Sequence, residues 1–502
     1  MKARNVIVIG AGMGGLAAAC DLARQGCTVT MLERAASPGG KMREVDVGDT
    51  KIDGGPTVFT MAWVFESLFG DAGENLHAHL PLESAKILAR HRWCDTNGKV
   101  TALDLFADID QSVDAISAFA GKAEGQNYRA FCARSRDIYE TLRDPFIAGQ
   151  RPNPLELVSR VGLHRLDAMW RTAPLKTMWG ALGTYFKDPR LQQLFGRYAT
   201  YCGSSPFLAP ATLMLIAHVE QDGVWRVKGG MARVAEALQE LAQRQGATFR
   251  FDAHVAEIIV ENGKATGVIL STGERLHADS IIFNGDMSAL GGGLLGTALK
   301  PAARPVALAN RSQSAVTWCV TAKTKGMELA HHNVFFSNNY RAEFDDVFKA
   351  RQIPSAATIY VCAQDRGDEC VPPTGGIERL LVLVNAPADG DRRKFDQAET
   401  TQARDAAWRL MASCGLKIDA IEAVTTAPDG FNALFPASGG ALYGRANHGP
   451  FASFQRPGAR SHIPGLYLAG GSVHPGPGIP MAALSGRLAA AQLTDDLAAH
   501  KF

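Results

Sequence analysis

Three features are scarce or missing in this 502-residue sequence, and each narrows the class of protein that it can encode. No run of 18 consecutive apolar residues occurs, so no transmembrane helix is predicted, and any contact with a membrane has to be peripheral. The 52 lysines and arginines nearly balance 50 aspartates and glutamates, which argues against a nucleic-acid-binding protein. The nine cysteines include no C-x-x-C pair and no His/Cys cluster at zinc spacing, which predicts reduced thiols in a cytoplasmic protein without a metal site.

The first forty residues carry the strongest motif. Asn5–Gly10 is a short β-branched run that predicts a buried parallel strand, and Cys27–Leu32 predicts a second strand after a helical segment. A G-x-G-x-x-G turn joins the first strand to the helix, and an acid ends the second strand. This arrangement predicts a dinucleotide-binding Rossmann unit. Its predicted ligand-binding residues are Gly10, Gly12, Gly14, Gly15 and Glu33.

Each of these residues meets a separate physical demand. Gly10 permits the tight turn, Gly12 lets the backbone approach a pyrophosphate, and Gly15 allows the helix to pack closely on the strand. The helix N-terminus offers free N–H groups and partial positive charge to the phosphates. Glu33 stands where such folds place the acid that binds a ribose hydroxyl.

Two further glycine-rich loops distinguish NAD from FAD as the cofactor. Residues 37–41 read SPGGK and residues 52–60 read IDGGPTVFT. Both loops lack Cβ atoms at several positions, so a large flat group can approach their backbone. NAD binding requires neither of them.

These loops resemble the extended FAD signature of the amine-oxidase and phytoene-desaturase flavoprotein superfamily. The resemblance implies FAD as the cofactor. It also implies an α/β fold with a discontinuous Rossmann-type FAD-binding domain and a mixed α+β substrate domain. The resemblance places Gly39, Gly40 and Lys41 along the cofactor. It places Gly55, Pro56 and Thr57 near the flavin, and Val255 at the adenine.

A Pro/Gly-dense turn near the C-terminus fits the same cofactor. Gly465–Gly471 predicts the last parallel strand of the sheet, and Pro480 suits the first turn of the helix that follows. That helix directs its positive end toward the carboxyl edge of the sheet, where it would stabilise the negative charge of a reduced flavin. The residues predicted to line the flavin here are Gly470, Gly471, Gly478, Ile479, Pro480 and Met481.

Residues 195–213, 219–231 and 465–490 are more specifically similar to bacterial carotenoid desaturases of the phytoene type. Within that family, the PMAALSG ending and the segment IDGGPTVFTMAWVFESLF most resemble the 1-hydroxycarotenoid 3,4-desaturases of purple bacteria. The resemblance spans essentially the whole chain. It implies FAD-dependent dehydrogenation of an acyclic carotenoid, at C3–C4 of 1-hydroxyneurosporene or its methoxy derivative. One departure from the wider superfamily is Gly470-Gly471-Ser472, where many members have an acid that holds the ribityl chain.

No catalytic triad or carboxylate pair occurs in a motif, as expected where the cofactor carries out the difficult chemistry. Glu220 and Arg197, which lie in the family-like motifs, are the candidate catalytic residues. A substrate with a terminal hydroxyl also requires a polar side chain at the far end of an otherwise apolar tunnel. The candidates for that role are Tyr443, Arg445 and His448.

We expect FAD-binding segments at 1–100, 221–299 and 441–502, and substrate segments at 101–220 and 300–440. Within the first substrate segment, Pro154–Phe186 combines Trp, Met and Leu with basic residues, which is typical of a helix in a membrane interface. The same pattern fits a helix packed on its own domain or on a dimer partner. The expected location is the cytoplasm, peripherally bound to the cytoplasmic membrane.

Three alternative functions stay open at this point. The first is a phytoene-type desaturase that acts earlier in the pathway, and the second is a carotenoid or retinoid isomerase or saturase. The third is a non-catalytic prenyl-lipid-binding protein, which the intact SPGGK loop and C-terminal turn argue against. The electron acceptor is left open between oxygen and a quinone.

Overall fold

The structure is a computed structural model that describes residues 4–162 and 166–499. Its strands are β1 (Asn5–Ile9), β2 (Thr28–Leu32), β3 (Glu44–Val47), β4 (Thr50–Asp53), β5 (Leu82–Ser84), β6 (Ile87–Cys94), β7 (Val100–Phe106), β8 (Trp225–Val227), β9 (Thr248–Arg250), β10 (Val255–Glu261), β11 (Lys264–Leu270), β12 (Arg275–His277), β13 (Ser280–Phe283), β14 (Ser314–Gly326), β15 (His332–Phe336), β16 (Ile359–Ala363), β17 (Glu378–Ala386), β18 (Leu416–Thr426) and β19 (Leu466–Leu468).

Its α-helices are α1 (Met13–Arg24), α2 (Trp63–Asp71), α3 (Leu76–His79), α4 (Ile109–Ala120), α5 (Lys122–Leu142), α6 (Pro154–Val161), α7 (Leu166–Arg171), α8 (Met178–Tyr185), α9 (Pro189–Gly196), α10 (Leu215–Asp222), α11 (Ala232–Arg244), α12 (Met287–Gly291), α13 (Tyr340–Asp345), α14 (Gln397–Ser413), α15 (Pro428–Leu434) and α16 (Ile479–Ala498).

A parallel five-stranded sheet in the order β19-β13-β1-β2-β9 forms the first layer. Its strands come from three separate stretches of the chain. The central strand β1 is buried on both faces, which explains its continuous β-branched sequence. Val6 and Val8 enter one core with α1, α11 and α16, and Ile7 and Ile9 enter the core on the opposite face beneath β10–β12.

A mixed seven-stranded sheet in the order β18-β14-β17-β16-β15-β6-β7 forms the second layer. Strand β6 belongs to this sheet although it falls inside the stretch 1–100 that the sequence assigns to the cofactor domain. One face of the sheet packs on α14. The opposite side of the sheet lines the cavity described below, and its residues there include Thr317, Tyr360 and Leu383.

Two local expectations differ from the structure. The composition of Thr248–Ile259 predicts one strand, and this prediction is wrong, because the strand is interrupted at Asp252, whose φ of 52° is in the left-handed region. The break lets the Ala253 N–H donate to the Glu33 carbonyl, which brings Val255 to the ligand side of the sheet. The segment 154–186 forms three short helices, α6 to α8, instead of one. Leu163 and Arg165, an apolar and a basic residue of this segment, lie outside the described residues.

Candidate active site

A cavity of about 1260 Å³ extends between the two sheets, and both layers contribute to its wall. Gly15 is the one predicted cofactor residue outside that wall. Its role is in packing, since a Cβ there would lie 2.1 Å from the carbonyl oxygen of Gly10. The predicted cofactor residues that line the cavity are Gly10, Gly12, Gly14, Glu33, Gly39, Gly40, Lys41, Gly55, Pro56, Thr57, Val255, Gly470, Gly471, Gly478, Ile479, Pro480 and Met481.

The carboxylate of Glu33 is fixed at the carboxyl end of β2. Its Oε2 accepts the backbone N–H of Ala11 at 2.7 Å, and its Oε1 accepts that of Ala35 at 2.8 Å. The side chain is 92% buried yet lines the cavity. Each oxygen keeps a further lone pair, so the carboxylate can accept two hydroxyls of a ribose.

The two N-terminal glycine-rich loops lie side by side. Gly12 and Gly39 form a parallel bridge, and the Gly39 N–H donates to the Ala11 carbonyl at 2.8 Å. Lys41, at the end of the second loop, is not solvent-facing. Its Nζ donates to the Leu442 carbonyl at 2.6 Å, and burial lowers its pKa.

Asn284 is a residue of the site that the sequence does not single out. It follows β13, and its Nδ2 donates to the Gly10 carbonyl at 2.9 Å. A Cβ on Gly12 would lie 3.0 Å from its amide nitrogen, and a Cβ on Gly14 or Gly470 would lie 2.7 Å from its amide oxygen. The side chain of Asn284 therefore occupies part of the space that the absent Cβ atoms of these glycines leave open, beside the space left for a ligand.

The C-terminal turn borders the same region, next to Gly14. Helix α16 begins at Ile479 with Pro480 in its first turn, as predicted, and its N-terminus is in the cavity wall. Arg456 holds the turn in place: it donates to the Gly471 carbonyl at 2.9 Å and to the carbonyls of Tyr443 and Arg445. After β19 this chain has Ser472 where many members of the superfamily have an acid. The carboxylate of Asp286, which follows β13, lies beside that position and accepts a hydrogen bond from the Ser472 hydroxyl at 2.9 Å.

Thr57 connects the loop 52–60 to the floor of the second sheet. Its hydroxyl is 2.6 Å from that of Tyr360, which is 2.7 Å from Nδ1 of His332. Burial lowers the pKa of His332 well below its usual value, so the imidazole is neutral. Among the described residues, His331, His332 and Cys362 form a group of metal-ligand type, but His331 already hydrogen-bonds to the Arg366 carbonyl.

The two candidate catalytic residues lie close together in the cavity wall. Glu220 accepts the hydroxyls of Tyr198 at 2.6 Å and Tyr201 at 2.5 Å, and Arg197 donates to the Tyr201 hydroxyl at 3.1 Å. Burial raises the pKa of Glu220. Arg197 and the two tyrosines lower that pKa, but the effect of burial is larger.

The structure separates the three candidates for the substrate's polar end. Tyr443 lines the cavity, but Arg445 and His448 do not. His448 instead accepts the Ser205 backbone N–H at 2.9 Å, and the main chain of Arg445 bridges to Arg311.

A different polar cluster occupies the cavity wall near Tyr360. Its members, which the sequence does not single out, are Gln313, Tyr340, Glu343, Thr358 and Asn385.

The geometry defines the class of protein as a dinucleotide-binding protein with a second ligand compartment. The glycines leave a cradle that side chains would fill: a Cβ on Gly471 would lie 3.6 Å from the nearest atom beyond its chain neighbours, and one on Gly478 would lie 3.8 Å away. The carboxylate of Glu33, the helix N-termini in the cavity wall and this cradle fit a cofactor that carries two nucleotide-like halves.

Comparison with known proteins identifies the family. Residues 13–494 match the family described as flavin containing amine oxidoreductase. The chain is 50% identical over 495 residues to a hydroxyneurosporene desaturase of Rubrivivax gelatinosus, covering 98% of this chain and 94% of that protein. It is 43% identical over 499 residues to one of Cereibacter sphaeroides (99% and 98% covered), and 30% identical over 505 residues to a 1-hydroxycarotenoid 3,4-desaturase of Flavobacterium (97% and 98%).

Solved structures show the same fold. An oxidoreductase from Methanosarcina mazei superposes with a TM-score of 0.62 at 14% identity, covering 98% of this chain and all of that chain. Cyclohexylamine oxidase from Brevibacterium oxydans superposes with a TM-score of 0.56 at 16% identity, with 99% of each chain covered. The chain belongs to the flavin-containing amine oxidoreductase family.

This membership confirms the predicted fold class and cofactor. The family supplies the flavin, and the glycine-rich turn with Glu33 supplies a site for a second nucleotide, so the cofactor is FAD. The chain is an FAD-dependent oxidoreductase. The roles of the individual residues remain predictions.

Proposed function

We propose that this enzyme desaturates an acyclic carotenoid and that the bond it oxidises is C3–C4 of a 1-hydroxycarotenoid. The names and identities of its relatives support the substrate class and the position. The observation that carries the proposal is an apolar part of the cavity wall, here called the apolar arm, built by residues other than those predicted to bind the cofactor. Its lining includes Leu142, Phe146, Ile147, Leu157, Val158, Met169, Leu213, Ile216 and Val219.

The apolar arm suits a long hydrocarbon. Each 100 Å² of apolar surface that leaves water contributes about 2.5 kcal/mol to binding. The arm also excludes water from the carbons that react. A polyene needs both effects, because it offers few polar groups by which a protein can orient it.

Desaturation removes a hydride from one carbon and a proton from its neighbour, and the electrons of the second C–H bond form the new double bond. Bound FAD supplies the acceptor for the hydride. The protein must hold the C–C bond in place and accept the proton. We assign the second task to Glu220, which lines the cavity, and the positioning of Glu220 to Tyr198, Tyr201 and Arg197.

We also propose that the substrate enters from a bilayer. The arm includes residues of α6 and α7, and three apolar side chains in or beside these helices are strongly exposed: Leu155 at 83%, Trp170 at 75% and Leu175 at 66%. Trp179 differs, because it packs 4.6 Å from the Phe207 ring and is only partly exposed. Within the described ranges, no helix is long and apolar enough to span a membrane.

The test is anaerobic incubation of the FAD-loaded enzyme with vesicles that contain 1-hydroxyneurosporene or phytoene. We expect bleaching of the flavin absorbance together with a red shift of the 1-hydroxyneurosporene spectrum, which reports one added conjugated double bond. Preferential oxidation of phytoene would contradict the 3,4-assignment. Rearranged carotenoid with no net oxidation would indicate an isomerase instead.

A further inference from the structure

We propose that the polar cluster in the cavity wall binds the terminal hydroxyl of the substrate, which donates to Gln313 and accepts from Tyr340. This inference rests on the proposed function and identifies the residues that would distinguish a 1-hydroxycarotenoid from the corresponding hydrocarbon. Every member of the cluster lines the cavity and is more than nine-tenths buried.

A chain of hydrogen bonds fixes the orientation of the Gln313 amide. Glu343 accepts the backbone N–H of Thr358 at 3.0 Å and its hydroxyl at 2.6 Å, and its other oxygen accepts Asn385 Nδ2 at 2.7 Å. With Glu343 ionised, the Asn385 amide oxygen faces Gln313, whose Nε2 donates to it at 2.8 Å. Gln313 Oε1 is consequently the atom left over, an acceptor without a hydrogen-bond partner in the described part of the chain.

Tyr340 supplies the complementary donor. It begins α13, one helical turn before Glu343, so the two side chains lie on the same face of that helix. Its ring packs against Trp179, Phe207 and Phe344, whereas its hydroxyl, although buried, has no partner within residues 4–162 and 166–499. Two residues of one cavity wall thus carry a buried acceptor and a buried donor without partners in the described ranges. An alcohol has the groups that suit both atoms, because it donates one hydrogen bond and accepts others.

The cluster lies at a suitable separation from the loop assigned to the flavin. Thr57 of that loop bonds to Tyr360, and Leu383 is the strand partner of Tyr360. Thr358 and Asn385 each lie two residues farther along the same sheet face, a step of about 7 Å. The oxygen of a 1-hydroxycarotenoid is three bonds from C3. A substrate that reaches the cluster with its oxygen therefore holds C3 and C4 near the Thr57 loop.

The energetic argument concerns discrimination. A hydrocarbon in this cavity would leave Gln313 and Tyr340 both desolvated and unpaired, and each such group lowers the affinity. A purely apolar pocket would distinguish the two carotenoids only weakly. The cluster therefore predicts a clear preference for the alcohol.

The test compares 1-hydroxyneurosporene with neurosporene, which lacks the hydroxyl, in the FAD-loaded enzyme. Tyr340→Phe removes only an unpaired hydroxyl, so its unfolding temperature should match wild type; Gln313→Leu is the second variant. We expect each to lower the ratio of kcat/KM values for the two carotenoids by about fivefold or more, mainly through weaker conversion of the alcohol. Binding to dithionite-reduced enzyme, in which turnover stops, should show the same loss of preference.

Tyr185→Phe is the matched control, because its ring packs on Phe131 outside the cavity wall and its loss should leave the ratio unchanged. An unchanged ratio in both Tyr340→Phe and Gln313→Leu would overturn the inference while the proposed function stands. A loss of preference confined to Tyr443→Phe would also overturn it, in favour of that residue. If wild type neither binds nor oxidises 1-hydroxyneurosporene, the proposed function is wrong and the inference with it.

Discussion

The side chain of Glu33 and the backbone of Ala11 are joined by a 2.7 Å hydrogen bond that ties the end of β2 to the glycine-rich turn. Glu33→Ala removes both this tie and the acceptors for the ribose. Hydrogen bonds to a charged group contribute about 1.5–3 kcal/mol, so we expect FAD to bind about 10- to 150-fold more weakly. Titration of the apoprotein with FAD measures this. Asp46→Ala, at an exposed carboxylate, is the control. Equal affinity of the two variants for FAD would show that Glu33 does not bind the cofactor.

Gly486 should tolerate no side chain. A Cβ there would lie 1.9 Å from the carbonyl oxygen of Gly14, so Gly486→Ala would push α16 away from α1. Overpacking of this kind costs about 1–3 kcal/mol, and we expect a lower unfolding temperature together with loss of FAD. Gly183→Ala in α8 provides the comparison, since no atom of the described residues beyond its chain neighbours and its own helix backbone lies within 4 Å of its Cβ position. That variant should be as stable as wild type or slightly more so.

Glu220→Gln should slow hydride transfer while FAD remains bound. The amide cannot accept a proton, and general-base groups contribute about 10²- to 10⁴-fold to rates. Anaerobic single-turnover reduction of the flavin by 1-hydroxyneurosporene isolates this step from reoxidation. A rate close to that of wild type would exclude Glu220 as the proton acceptor.

Glu343 should make folding stability fall as the pH rises. Burial raises its pKa to about 7, above the ordinary value of 4.5, so the folded state binds a proton that the unfolded state has already released. Stability from this group is complete below pH 4.5 and decreases through pH 7, by about 3 kcal/mol in total. Glu343→Gln does not titrate. The difference between the unfolding temperatures of variant and wild type should therefore shift in favour of the variant between pH 5 and pH 8, and a constant difference would contradict the raised pKa.

The exposed apolar residues beside α6 and α7 should mediate membrane binding. We expect the triple variant Leu155→Ser, Trp170→Ser and Leu175→Ser to stay in the supernatant when anionic vesicles are sedimented, with its FAD retained. The matched control replaces three exposed apolar residues elsewhere, Val371, Ile377 and Ile421, with serine. Equal sedimentation of the two triple variants would assign the segment to protein contacts.

The sequence predicts the cofactor side of this protein well because each of its signals is local. The glycine-rich turn, Glu33 and the turn before Pro480 each depend on a few neighbouring residues, and their strands are recognisable by composition. The polar cluster is different: Gln313, Glu343 and Asn385 stand far apart in the chain, and only the pairing of β14 with β17 and the position of α13 bring them together. Likewise, no sequence pattern distinguishes the packed Trp179 from the exposed Trp170.

The contact between α1 and α16 also determines when the protein can acquire its cofactor. During synthesis, β1, α1 and β2 leave the ribosome long before β19 and α16, the helix that covers Gly14. Domains generally fold as units once their segments are available. The early Rossmann segment therefore keeps the surface of α1 uncovered until α16 has been synthesised. The complete set of predicted FAD-binding segments can assemble only after that point.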